Sequence, residues 1–244
     1  MNELDEELKF LIEYLGIAEN FVLPNYKELP SVDLYMEQVL RYVNSSLEPI
    51  TNDEKPLTSF MVNNYVKAKI IPEPVKKKYA KDQIGYLMAI TLMKSTLSMS
   101  DMSVLLEFEH SVSDDKNMLY GFWAALESEI LNGASAEMLQ KVHKIAELHE
   151  RDKQKRPDEA DSIALDRLAY YALKLSIQAQ ANKLLSQAII AAIRETTHGE
   201  EAKDEATATR AELKQEGLAE EMEANRLAAS KQKRAKKSKK KDEK

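Results

Sequence analysis

Ser59, Asn63 and Lys67 stand four residues apart, with Asn64 beside them, in the stretch TSFMVNNYVKAKIIPEP. On a helix that spacing puts all three on one face. The face is small, polar and cationic. Such a set suits the edge of a nucleic acid. An asparagine amide pairs bidentately with adenine in the major groove, and lysines neutralise phosphates beside it. A basic run follows, Lys76-Lys77-Lys78-Tyr79-Ala80-Lys81, with Lys69 ahead of it. The plainer alternative is a solvated helix face and a solvated lysine run, because surface lysines are common.

These residues need elements to hold them. Thr58 or Ser59 can cap a helix through a side-chain oxygen. The period predicts a helix over 58–70, with Met61, Tyr65 and Ala68 on its inner face. Pro72 and Pro74 then force extended backbone. A second helix is expected from near Asp82, running through Ile84, Leu87, Met88, Ile90 and Leu92. Upstream, Ser31 is placed to cap a supporting helix built on Leu34, Val39, Leu40, Val43 and Leu47. The connection from Glu48 to Pro56 is long for a helix-turn-helix, whose turn is usually about three to four residues.

Tyr65-x-Lys67-x-x-Ile70-Ile71-Pro72 and Tyr79-Ala80-Lys81-Asp82-Gln83-Ile84 resemble the second and third helices of the MerR-type winged helix-turn-helix. More closely, residues 29–102 resemble a bacterial family of uncharacterised proteins, the domain of unknown function 1836 family. The pieces that carry this are Leu34-Tyr35-Met36-Glu37-Gln38-Val39, Val62-Asn63-Asn64-Tyr65-Val66-Lys67 and Ile71-Pro72-Glu73-Pro74-Val75-Lys76-Lys77-Lys78-Tyr79. The resemblance implies a MerR-like DNA-binding domain with a short basic wing. Lys69 stands where MerR proteins usually have glycine, which implies a lysine in a turn conformation there.

Composition sets bounds. The chain has 244 residues, enough for one or two domains with a core. It has no cysteine and 6 glycines, which removes disulfides, thiolate chemistry and cysteine-held zinc, and argues against phosphate-cradling loops. The start, MNELDEELKF, lacks the basic and apolar segments of a signal peptide, and no run reaches membrane-helix length. A cytoplasmic protein with no membrane partner is expected. The net charge of −6 is unevenly spread. Residues 57–94 carry +5 and the last fourteen residues +7, against −8 over residues 1–56 and −10 over 95–230. A local basic patch on an acidic body is still attractive to DNA.

Alternating β patterns are almost absent, so an all-α or nearly all-α fold is expected. Four regions follow: an N-terminal helical arm over 1–29, a DNA-binding domain over 30–109, a helical effector and dimerisation region over 110–198, and a charged tail over 199–244 that is expected to be disordered. Leu4, Leu8, Leu11, Ile12 and Leu15 make the arm's apolar stripe. Ser98 or Ser100 caps a helix through Leu105 and Phe108. Two helices are expected over 112–152, the first ended by Gly133 and the second capped by Ser135. Tyr120, Phe122 and Trp123 read as core before they read as a small-molecule pocket. The four histidines read as ordinary residues, with no metal or other cofactor. The stretch from Pro157 to His198 reads as one helix of roughly 60 Å, apolar on most sides. Such a helix needs cover, and a second copy of the chain would supply it.

The expected function is a homodimeric transcriptional regulator that binds double-stranded DNA and has no enzymatic activity. The residues expected at the DNA are Thr58, Ser59, Asn63, Asn64, Lys67, Lys69, Lys76, Lys77, Lys78, Tyr79 and Lys81. Self-association would run through the helix over 158–198. An effector is left open. Two rivals remain: a protein-interaction module built on the same fold, and a nonspecific nucleic-acid binder acting through the tail KQKRAKKSKKK.

Overall fold

A computed structural model describes residues 3–51, 56–112 and 115–197. The tail after residue 197 lies outside them. Seven α-helices occur among the described residues: α1 (Glu3–Glu19), α2 (Met36–Leu47), α3 (Ser59–Lys67), α4 (Lys81–Met93), α5 (Met99–Val112), α6 (Lys116–Lys155) and α7 (Ala160–Thr197). The strands β1 (Leu34–Tyr35) and β2 (Lys78–Tyr79) form one antiparallel pair, Leu34 opposite Tyr79 and Tyr35 opposite Lys78. The fold is therefore all-α or nearly so. By contacts the chain divides into residues 1–180 and residues 181–244. Of the second unit, the described part is the end of α7.

The first unit holds two cores. The larger gathers Val39, Val43 and Leu47 of α2, Val62 and Tyr65 of α3, Ile84, Leu87, Met88 and Ile90 of α4, and Met102 of α5. Tyr120 and Ala124 of α6 join it. Gly85 lets the ring come this close: a Cβ there would meet the Tyr120 ring at 3.0 Å, and the ring would have to shift slightly. The Tyr120 hydroxyl donates to the Pro24 carbonyl at 3.0 Å. This ring is core, as expected, while Phe122 is exposed. Phe21, Leu23 and Leu29 also pack here, although the sequence places them in the arm. In the smaller core, Leu8 and Leu15 of α1 meet Val142 and Ile145 of α6 and Ala164 of α7.

The boundaries of α6 and α2 differ from expectation. Gly133 does not break the chain: α6 is one helix of 40 residues, and Ser135 is buried within it. A mid-helix glycine costs only about 1 kcal/mol. Tyr120 and Ala124 anchor α6 on one side of it in the larger core, and Val142 and Ile145 on the other side in the smaller one. Ser31 does not cap α2. The pairing of β1 with β2 keeps Leu34 and Tyr35 extended, so α2 starts at Met36. There the Tyr35 N–H donates to Gln38 Oε1 at 2.9 Å. The Thr58 and Ser98 caps form as expected, their side-chain oxygens accepting from the N–H of Met61 and Asp101.

Gln83 ties α4 to the segment before the hairpin. Its Oε1 accepts from the Ala80 N–H at 2.7 Å, and its Nε2 donates to the Pro72 carbonyl at 2.8 Å. Replacing Gln83 by Leu removes both bonds at a similar volume. The expected loss is about 1–2 kcal/mol, read by urea unfolding. A loss within error would mean that water replaces the amide.

Candidate nucleic-acid interface

α3 is held from behind. Val62 and Tyr65 fill the core, and burial raises the Tyr65 phenol above its ordinary pKa. The Asn44 side chain of α2 accepts from the Leu57 N–H at 2.9 Å and donates to the Leu57 carbonyl at 3.0 Å. The entry to α3 is thus pinned on α2. Its outer side shows Thr58, Ser59, Asn63 and Lys67 to solvent, with Asn64 half-buried. These are the residues that the four-residue spacing puts together.

The helix is shorter than the expected 58–70, and its end has a specific form. The Ile70 N–H donates to the Tyr65 carbonyl at 3.0 Å, and the Lys69 N–H to the Val66 carbonyl at 3.0 Å. This is a Schellman motif with Lys69 at the position that glycine usually takes. Lys69 has φ 59°. Ile70 and Tyr65 meet in the core, which supplies the apolar contact that accompanies the motif.

The basic run forms a tight hairpin. The Lys78 N–H donates to the Val75 carbonyl at 2.9 Å, across Lys76 and Lys77. Those two have φ 50° and 65°. Positive φ at both central residues is the pattern of a type I′ turn, which favours Asn-Gly. Lys69, Lys76 and Lys77 are the non-glycine residues with positive φ among the described residues. The backbone strain found here therefore falls entirely on three exposed lysines.

Besides Asn64, two of the expected residues are only half available, and one is not available at all. Lys78 lies over the Tyr35 ring, 5.0 Å from its centre. Lys81 lies over the Tyr26 ring at 4.7 Å and donates to the Lys27 carbonyl at 3.4 Å. Tyr79 must be withdrawn from the face. It is 3% exposed, and burial raises its phenol pKa. The reason is pleat alternation: Tyr79 follows Lys78 in β2, so its side chain takes the inner side.

Phe60 was missed. It is 72% exposed on α3, three residues before Asn63 and seven before Lys67. Helical spacing alone would have put it on the same face. An exposed aromatic beside polar residues offers an apolar contact, such as a thymine methyl takes.

Among the described residues, no helix is long and apolar enough to cross a membrane. No curated protein and no solved structure matches the chain. A family model does match residues 24–124, a span that holds the buried residues of the larger core from Leu29 to Ala124 and leaves out Phe21 and Leu23; the family is described as a domain of unknown function, DUF1836, and this part of the chain is similar to it.

Proposed function

We propose that this chain is a cytoplasmic DNA-binding regulator of transcription that acts as a homodimer. The observation that carries the reading is the set of three strained lysines. L-residues with positive φ cost roughly 1–2 kcal/mol each, and strain of this kind clusters at functional sites. Lysine offers a turn nothing but its charge and reach. All three border or follow a helix whose outer face bears Ser59, Asn63 and Lys67.

The order of α2, α3 and a basic hairpin supports reading this part as a MerR-like winged helix-turn-helix. In this reading α3 lies in the major groove. A helix with its side chains is about 10–12 Å across, which fits the groove's width of about 12 Å. Asn63, Asn64 and Phe60 face base edges. Ser59, Lys67 and Lys69 reach phosphates, and the Lys76–Lys77 tip lies on the backbone beside them. A second copy docks along α7 and sets the spacing of two half-sites.

The test is selection from a randomised duplex pool, using the full chain, Asn63→Ala/Lys67→Ala, and a chain ended after Ser230. Enrichment of a two-fold site that survives the truncation and fails in the double variant is expected. Weak binding that disappears with the tail, without enrichment, would overturn this reading in favour of tail-driven binding. No binding by any of the three would leave a protein-interaction module.

A further inference from the structure

The junction of α1, α6 and α7 holds a second constellation that DNA binding does not use. His149 of α6 is 1% exposed. Its Nε2 lies 2.7 Å from Oδ1 of Asp161, near the start of α7. Its Nδ1 lies 3.4 Å from Oδ1 of Asp5, in the first turn of α1. Glu150 stands next to it. One ligand atom from each of Asp5, His149 and Glu150 falls within 4.8 Å of the others.

A neutral imidazole has one N–H and one lone pair. If Nε2 donates its hydrogen to Asp161, the lone pair of Nδ1 faces a carboxylate oxygen. Two acceptors in that position repel unless a proton or a metal ion joins them. A carboxylate on one ring nitrogen, with the other nitrogen bare, is also how metal-bound histidines are oriented. A cavity of about 540 Å³ opens beside these atoms, with His143 and Glu147 also on its wall. An ion has a way in.

The chain already supplies a cation at this place. The Lys153 ammonium bonds Asp5 and lies 2.8 Å from Glu150 Oε1. It is held by a flexible stem, and its side chain is 28% exposed. Swinging outward, it would leave both carboxylates facing the imidazole.

We propose that Asp5, His149 and Glu150 form a binding site for a divalent first-row transition ion, Zn²⁺ or Mn²⁺, with Asp161 orienting the imidazole and Lys153 competing with the ion. One nitrogen and two carboxylate oxygens suit both ions and leave positions for water. Because Asp5 comes from α1 and the other two ligands from α6, the ion would tie the N-terminal helix down.

The experiment is calorimetric titration of Zn²⁺, and separately Mn²⁺, into the chelator-treated full chain. Thermal unfolding is followed with and without the ion. One ion per chain and a higher Tm with ion are expected. Glu150→Gln, at an exposed position, should weaken binding at least tenfold while Tm without ion stays near that of the parent. Lys153→Met should bind at least tenfold more tightly, despite losing its ion pairs. No binding by the parent, binding unchanged in Glu150→Gln, or no tightening in Lys153→Met would each overturn the site. None of these readings depends on DNA.

Discussion

The Lys69→Gly/Lys76→Asn/Lys77→Gly variant should be more stable than the parent chain and bind DNA more weakly. Each lysine occupies left-handed backbone, at φ 59°, 50° and 65°. Relief is worth roughly 1–2 kcal/mol per position, and the added freedom of glycine in the unfolded chain takes back about 0.5–1 kcal/mol at two of them. Asparagine, still an L-residue, relieves less than glycine does, so a net gain of about 2 kcal/mol should remain. For a unit of this size that raises Tm by about 4–8 °C. The same change removes three charges that the proposed reading directs at phosphates. The slope of log K against log salt should fall by about 2.7, and affinity near 0.1 M salt should drop on the order of a hundredfold. Lys67→Gln, in ordinary helical backbone, is the control: it should lower the slope by about 1 with little change in Tm. The two measurements separate the two claims. A Tm no higher than the parent's would mean that these lysines carry no strain. Unchanged DNA binding would mean that the strain serves something else.

The second large effect is expected on α7. Leu173 is 61% exposed and Ile177 59%, and Leu165, Tyr170 and Leu175 are exposed with them in the first unit. In the second unit, Leu185 and Ile189 are exposed as well. From Leu168 to Ile193 the charged side chains are Lys174 and Lys183, with no acid between. A helix this apolar on its outer sides gains from a partner surface. Leu173→Glu/Ile177→Glu should convert a dimer at micromolar concentration into a monomer, read by sedimentation velocity. If two copies read two half-sites, affinity for the two-fold site should fall by about 10²–10⁴, with single half-site affinity unchanged. A parent chain that sediments as a monomer, or a variant that stays dimeric, would remove α7 from the proposal.

Much of the framework was legible in the order of residues, because it is set by short-range physics. The helical class follows from apolar spacing, and the stripe of α1 lies where its leucines put it. The Thr58 and Ser98 caps depend on a side chain meeting an N–H three residues on. The turn at Lys69 was visible through its alignment with a family glycine. Tertiary structure decided the remainder. Gly133 reads locally as a stop, but two separate cores hold α6 on either side of it and outweigh one glycine. Tyr79 sits in a basic run and reads as surface, but pairing with β1 sets which way β2 faces and turns the ring inward. His149 looked ordinary because its partners, Asp5 and Asp161, lie 144 residues before it and 12 after it on other helices. Caps and periods are properties of neighbours along the chain. Which side of a strand is buried, and which carboxylates surround an imidazole, depend on segments far apart in sequence and exist only once the helices have packed.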